Sequence, residues 1–207
     1  LHRRVRCAAV FRVVFFFPNT IAAVAVALLW ILLYSATNFG LINAALAGLQ
    51  GWGVPVPVDL PFPFLASQHL LIALVPMLVW ALSGFYMVLF FAAMQNIPEE
   101  YYEAATLDGA TGTQQFFHIT LPLIREVLAV GVIFLLISSL KLFDPLWVME
   151  NQRPTKDSHV LATVLYQKAF TEYNIGYGAA VAVLLFLLVF ACTWLSMRIS
   201  RQDRVEY

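Results

Sequence analysis

The chain has 207 residues, of which 61% are hydrophobic and only 12% are charged, and its mean hydropathy is +0.80. Soluble domains carry about 25% charged residues, so this chain has too little polar surface to cover a globule in water. A run of about 20 apolar residues spans the hydrocarbon core of a bilayer, and several such runs follow one another in the sequence. The composition therefore predicts an all-α, polytopic membrane helix bundle.

The composition also argues against several kinds of site. The formal net charge is zero, which argues against nucleic-acid binding through a basic face. The two cysteines and four histidines are scattered, without the spacing of a metal or redox centre. The phosphate-binding pattern GxxxxGK[ST] does not occur, so the sequence predicts no P-loop for ATP. If ATP hydrolysis drives this protein, we expect the ATPase to be another polypeptide. We expect no cofactor, no metal and no catalytic constellation, and a surrounding of membrane lipid.

The first apolar run covers residues 11–35 and is long enough for one membrane span. Pro18 near its start frees backbone groups, which Asn19 and Thr20 can satisfy within the protein. Arginines cluster at the beginning of the chain and predict that residues 1–12 are cytoplasmic by the positive-inside rule. These arginines are Arg3, Arg4, Arg6 and Arg12.

The longest segment between spans covers residues 36–69. Residues 39–49 are compatible with a short amphipathic helix along the outer surface, and four prolines then predict a stiff, extended strap. The prolines are Pro55, Pro57, Pro61 and Pro63. A strap of this kind fits a contact surface for a soluble partner outside the membrane, and it fits a stiff connection between spans equally well.

The second span is predicted over residues 69–94. Pro76 is tolerated within it if neighbouring helices cover the kink. Ser83 and Gly84 place two small residues in the middle of the span, where they allow another helix to approach closely.

Residues 98–122 form a polar island between apolar runs. Pro98 suits the first position of a helix, because its missing N–H would have no partner there. Gly109 ends that helix, since glycine adopts the left-handed C-terminal conformation without steric cost. Thr111 and Gln114 have the spacing of a capping box, so a second short helix begins at once.

Two short helices joined by a tight turn make residues 98–122 a rigid elbow. Small side chains at Ala104, Ala105 and Ala110 keep part of its surface low, so that another protein's backbone can approach closely. One interpretation is that the elbow docks a soluble partner at the membrane surface. The other is an ordinary interhelical loop with well-capped ends, and the physics of the residues alone does not separate the two.

The third span is predicted over residues 121–149. Lys141 and Asp144 would be i,i+3 neighbours on one helix face, and an intramembrane charge marks a transport pathway by default. Together with Ser138 they are candidates for the translocation path. Lys141 can also snorkel to the outer boundary, and Pro145 indicates that the helix is ending there.

The remainder of the chain contains one more span. Residues 150–175 are polar enough to lie outside, with a short helix over residues 160–170, and residues 176–197 form the last span. The arginines at the two ends of the chain outnumber the basic residues of the outer segments, so residues 1–12, 98–122 and 198–207 are predicted to be cytoplasmic. The C-terminal arginines are Arg198, Arg201 and Arg204.

The spacing of residues in the elbow resembles a known motif. Glu103-Ala104-Ala105, Gly109 and Ile119-x-Leu121-Pro122 fill every position of the EAA loop (E-A-A-x3-G-x9-I-x-L-P) of ABC-importer permeases. In that family the loop is the coupling helix that sits in a cleft of the ATP-hydrolysing subunit. The resemblance implies a set of ATPase-coupling residues, with Glu103 as polar anchor and Gly109 setting the angle between the helices. The set is Glu103, Ala104, Ala105, Asp108, Gly109, Ile119, Leu121 and Pro122.

The resemblance extends over nearly the whole chain and points to the sugar-importer branch, the maltose and glycerol-phosphate type. That branch has the type I importer fold with six core spans, of which four are visible here, and we expect the other two to precede Leu1. Residues 1–207 would then be one transmembrane permease domain that is truncated at its N-terminus. Residues 150–154 depart from the Thr-Gly-Gly-Pro-like turn of the family, so its usual loop shape is not assumed. The similar positions are 15–18, Trp30, 40–43, Trp80, Phe143, Asp144 and 166–177.

The resemblance implies alternating access driven by ATP. The partners would be a cytoplasmic ATP-binding subunit, a second permease subunit that is usually a different chain, and an external solute-binding protein. The location would be the plasma membrane of a bacterium or archaeon, and the solute a sugar or related polyol.

Other classes of protein remain in competition at this point. A secondary transporter should show paired broken spans or a buried ion relay, for which Lys141 and Asp144 are the candidates. A membrane enzyme would need a catalytic constellation within a span, and a structural subunit would have no ATPase partner. Retention of a P-loop ATPase during purification would separate these alternatives.

Overall fold

The structure is a computed structural model that describes residues 8–37 and 40–201. Within those ranges the regular elements are helices, eleven α-helices and two five-residue π-helical turns, which confirms the predicted all-α class. Some residues invoked above lie outside the described ranges, as does the side chain of Arg201. They are Arg3, Arg4, Arg6, Cys7, Phe39 and Arg204.

The first apolar run is broken into two helices, α1 (Ala8–Thr20) and α2 (Ala23–Tyr34), which are bent by 99° at the break. The run predicted to form a span over residues 11–35 is therefore not one straight helix, although the two helices together are long and apolar enough to count as one span. Pro18 has no N–H to continue the hydrogen-bond ladder, the N–H of Ile21 bonds the carbonyl of Pro18 in a tightened last turn, and Ala22 is extended with ψ of 136°.

A helix, α3 (Leu41–Gly51), precedes the strap and lies two residues further along than the predicted 39–49 helix; the strap is the proline-rich segment that follows it, residues 52–63. Asn43 on α3 is buried and holds the strap against it. Its side-chain amide donates to the carbonyls of Ser35 and Phe62 at 3.2 and 3.1 Å, and its oxygen accepts from the N–H of Phe62 at 2.8 Å. The proline-rich segment is thus fixed in place by a satisfied buried polar group.

The predicted second span is confirmed as α4 (Ser67–Gln95), which passes through Pro76 without ending. Three short helices follow it within the elbow. They are α5 (Glu99–Leu107), α6 (Gly112–Gln115) and α7 (Leu121–Leu123), with a π-helical turn at Phe116–Thr120.

The third span is confirmed as a long apolar segment, Arg125–Met149, but it is interrupted. It consists of α8 (Arg125–Leu140) and α9 (Asp144–Met149). The expectation that Lys141 and Asp144 share one helix face is therefore wrong. In a continuous helix the ring of Pro145 would clash with the carbonyl of Lys141, four residues earlier, and would leave it without a donor.

The last part of the chain matches its prediction closely. The short helix α10 (Leu161–Tyr166) continues into a π-helical turn, Gln167–Thr171, which confirms a helix near residues 160–170. The final span is α11 (Ile175–Arg201). In the turn after α9, Asn151 and Gln152 have positive φ angles of 50° and 63°, a backbone conformation that glycine adopts most readily.

The chain divides into two compact units. In the second unit (Pro18–Leu82 and Leu140–Leu185), a hydrophobic core joins α2, α4 and α9, and the hydroxyl of Tyr34 donates to the carbonyl of Ala73 at 2.6 Å. The core residues are Val26, Ala27, Leu70, Leu74, Met77, Leu146 and Met149.

The first unit (Leu1–Phe17, Ser83–Ser139 and Phe186–Tyr207) contains the elbow. In this unit α1 and α4 meet with their backbones in close contact, because a Cβ on Gly84 would overlap the carbonyl of Phe15. The guanidinium of Arg12 lies 4.2 Å from the ring centroid of Phe91 on α4. These contacts fix the helix that leads into the elbow.

Candidate functional site

The first helix of the elbow begins as its sequence predicts, with a shift of one residue. Pro98 is the N-cap of α5 and not its first helical residue, and it has φ of −58° and ψ of 139°. Glu99 and Glu100 occupy the first turn, where carboxylates face the positive end of the helix dipole.

The turn after α5 is a complete Schellman motif. The N–H of Gly109 bonds the carbonyl of Thr106 at 3.0 Å, and the N–H of Ala110 bonds the carbonyl of Ala105 at 2.9 Å. These two bonds satisfy carbonyls that the helix end would otherwise leave without partners. Gly109 has φ of +79°, the left-handed conformation that the motif requires and that was expected of it.

The second helix starts with the predicted capping box. The side-chain oxygen of Gln114 accepts from the N–H of Thr111 at 2.7 Å, and the N–H of Gln114 donates to the hydroxyl of Thr111 at 3.4 Å. Two backbone donors at the start of α6 are thereby satisfied reciprocally.

The turn that follows α6 was not predicted from the sequence. Residues Phe116–Thr120 are π-helical, a conformation that is rare and frequent at functional sites. Gln115 and Thr120, at the two ends of this turn, are buried with 8% and 1% exposure. Both point to α5, since the Gln115 amide reaches the hydroxyl of Thr106 at 2.9 Å and the Thr120 hydroxyl lies 2.9 Å from that of Tyr102.

The outward surface of the elbow is formed mainly by α5, none of whose residues is buried. Five of the predicted coupling residues are exposed, namely Glu103, Ala104, Asp108, Gly109 and Pro122. The other three are half-buried, namely Ala105, Ile119 and Leu121. Within the described part of the chain, Glu103 has no ionic partner, so its carboxylate is open to another protein.

Leu107 is the residue on this surface that the sequence reasoning missed. Its side chain is 89% exposed at the end of α5, next to the Asp108-Gly109 turn. An exposed apolar side chain gains free energy when an apolar pocket of a partner buries it. The signal in the sequence is that Leu107 is large and apolar although polar residues flank it, at a position where a solvated helix end would have a polar side chain.

A surface cavity of about 370 Å³ lies beside the second half of the elbow. It combines apolar walls with charged groups, and it gives the elbow a concave side next to the protruding end of α5. Its lining residues are Tyr101, His118, Ile119, Pro122, Leu123, Arg125 and Glu126.

The residues predicted for a translocation path lie near the interruption of the third span. Ser138 is exposed on α8, Lys141 is exposed in the break, and Asp144 is exposed as the first residue of α9. No group of three or more histidine, cysteine or acidic side chains able to hold a metal ion occurs among the described residues.

Comparison with known proteins gives a consistent result. The sequence profile described as "binding-protein-dependent transport system inner membrane component" matches residues 1–203. The chain is 33% identical over 197 residues to the probable ABC transporter permease protein YurN of Bacillus subtilis, covering 95% of this chain and 65% of YurN. It is 35% identical over 193 residues to the diacetylchitobiose uptake system permease protein NgcF of Streptomyces coelicolor, covering 91% of this chain and 53% of NgcF.

The fold has a solved counterpart in a bacterial ABC transporter involved in the import of the acidic polysaccharide alginate. The TM-score is 0.81 at 22% sequence identity, and the match covers 98% of this chain and 69% of that one. The chain therefore spans a little over half to two thirds of the length of these proteins.

Proposed function

The chain belongs to the family of binding-protein-dependent transport system inner membrane components, and from this premise we propose that it is the membrane-spanning permease subunit of an ATP-driven importer. The observation that carries the proposal is the elbow. An EAA-type sequence there folds into two helices with both of the predicted caps, and the coupling residues Glu103 and Gly109 are exposed.

The elbow would receive the motion of a separate ATPase. A partner biases a conformational equilibrium only through contacts that differ between its two states. Glu103 offers a charge-assisted hydrogen bond, Leu107 an apolar anchor, and Gly109 a fixed angle between the helices. Ile119, Leu121 and Pro122 lead from this surface towards the third span. We assign ATP hydrolysis to that partner and no catalytic step to this chain.

The remaining partners follow from the family. We propose that a second permease subunit, usually a different chain, completes the solute path, and that an external binding protein delivers a sugar or related polyol. The names of the relatives support this class, since NgcF is named for diacetylchitobiose uptake. The strap offers an ordered outer surface, with Trp52 at its start 85% exposed.

The proposal includes an orientation. We place residues 1–12, 98–122 and 198–207 in the cytoplasm, with the strap and residues 150–175 outside, and we treat residues 1–207 as one transmembrane permease domain. The exposed polar residues Ser138, Lys141 and Asp144 would then lie beside the outer half of the path.

Co-purification tests the proposal directly. The full-length chain, expressed with its ATPase and second permease, should retain the ATPase in mild detergent and support ATP-driven sugar uptake in proteoliposomes. Leu107→Ala should lower ATPase retention by roughly tenfold or more, because burial of a leucine side chain in a partner contributes about 1.5–3 kcal/mol.

The matched control is Leu49→Ala on α3, an exposed leucine away from the elbow, which should leave retention unchanged. A wild-type complex that transports without any P-loop ATPase would refute the proposal. Equal retention by the two leucine variants would remove Leu107 from the docking surface.

A further inference from the structure

Gln115 is a buried amide at the centre of the elbow. Its Nε2 donates to the hydroxyl of Thr106 at 2.9 Å and lies 3.4 and 3.5 Å from the carbonyl oxygens of Ala110 and Tyr102. An amide group has two N–H donors, so the bond to Thr106 is the strong one and the two longer contacts share the other hydrogen. One side chain of the second helix thus connects to α5 and to the turn.

A second tie lies at the far end of the π-helical turn, where the hydroxyls of Tyr102 and Thr120 are 2.9 Å apart. Gln115 and Thr120 are five residues apart, and in an α-helix of 3.6 residues per turn that spacing places side chains on different faces. The N–H of Leu121 bonds the carbonyl of Phe116, one residue further than in an α-helix. The wider turn brings Gln115 and Thr120 onto the same side, facing α5.

These ties matter because α5 has little else to hold it. None of its residues is buried, and its covalent connection to α6 is the turn at Gly109, where nothing lies within 4 Å of the position that a Cβ would take. Without the side-chain bonds, only the two backbone hydrogen bonds of the Schellman motif would hold the angle between α5 and the following helix. Beyond the π-helical turn, α7 and the buried Ile124 lead directly into α8.

Resting on the coupling function proposed above, we propose that Gln115 is a positioning residue which, with Tyr102 and Thr120, makes α5 and the following helix move as one body. A displacement that the ATPase imposes on α5 then reaches α8 without being absorbed at Gly109. Gln115 itself does not contact the ATPase, since it is buried beneath α5.

The test separates docking from transmission. Gln115→Leu keeps the volume of the side chain and removes its hydrogen bonds. In the full complex in proteoliposomes it should retain the ATPase as the wild type does, while sugar taken up per ATP hydrolysed falls about fivefold or more, the lower range of coupling between sites. The control is Gln95→Leu, an exposed glutamine at the end of α4 and outside the elbow, which should stay within about twofold of wild type on the same scale.

Equal losses in the two glutamine variants, or unchanged uptake per ATP in Gln115→Leu, would overturn the inference. A wild-type complex without ATP-driven uptake would overturn the proposed function itself, and the inference with it. If Gln115→Leu does not fold, a Thr106→Cys/Gln115→Cys pair carries the test, in a chain that also has Cys7→Ser and Cys192→Ser.

The paired cysteines are joined with a short bifunctional methanethiosulfonate reagent that reductant can cleave. Uptake per ATP should be near wild type while the bridge is intact and should fall when it is cut. The same value before and after cleavage would show that the tie between the helices transmits nothing.

Discussion

Gly109 carries the change of direction between the two halves of the elbow. Its φ of +79° costs a residue with a Cβ about 1–2 kcal/mol, whereas nothing lies within 4 Å of the position that a Cβ would occupy. Any effect of a substitution must therefore come from the backbone and not from a clash.

Gly109→Val should consequently uncouple ATP hydrolysis from uptake while leaving the protein in the membrane. A β-branched residue disfavours the left-handed conformation, so the Schellman bonds are weakened by roughly 1–2 kcal/mol. Gly109→Asn adds a Cβ too but tolerates this conformation, and it should keep most of the uptake. The rates of sugar uptake and of ATP hydrolysis are measured for both variants in proteoliposomes. Wild-type transport by the valine variant would contradict the role given to Gly109.

The residue scale also shows what local sequence chemistry can predict. The capping box depends on two side chains three residues apart, and the glycine turn depends on the backbone freedom of Gly109; both were predicted correctly. The burial of Gln115 and the exposure of Leu107 depend on how α5 and the following helix meet. Neither the polarity of a glutamine nor the hydrophobicity of a leucine contains that information.

At the level of helices, three prolines have three different outcomes. Pro76 is accommodated within α4, Pro18 precedes a 99° bend, and Pro145 lies in the first turn of a new helix. Each proline removes one donor and crowds the carbonyl four residues earlier. Whether the helix continues depends on neighbouring groups that satisfy the freed backbone, which is why the sequence predicted the spans but not their breaks.

The contact of α1 with α4 depends on the absence of a side chain at Gly84. Gly84→Ala should lower the stability of the chain by about 1–3 kcal/mol, since overpacking displaces the backbone at Phe15. Gly48→Ala on α3 is the matched change in open space and should be neutral or stabilising by about 0.5–1 kcal/mol. Thermal unfolding in detergent compares the two, and equal midpoints would show that the close approach is not required.

For the molecule as a whole, the number of membrane crossings decides the sidedness of both ends. The long helices α4 and α11 and the interrupted segment Arg125–Met149 are long and apolar enough for three crossings. In the orientation proposed above, the arginines at both ends of the chain lie in the cytoplasm. That orientation requires an even number of crossings, so the bent pair α1 and α2 would form the fourth.

Cysteine labelling tests this orientation. In a chain with Cys7→Ser and Cys192→Ser, a membrane-impermeant maleimide should label Asp59→Cys on intact cells and Thr113→Cys only after permeabilisation, because the proposed orientation places the strap outside and the elbow inside. In a chain with Cys192→Ser alone, the native Cys7 should behave like Thr113→Cys. Labelling of Cys7 from outside would show that the bent pair turns back without crossing.

The bend between α1 and α2 has a consequence for the lipid around the chain. The two helices have 13 and 12 residues, or about 20 and 18 Å at 1.5 Å per residue, so neither alone spans the ~30 Å of a typical hydrocarbon core. We therefore expect hydrophobic mismatch on this side of the protein, with headgroups drawn inwards or a neighbouring subunit covering the shortfall.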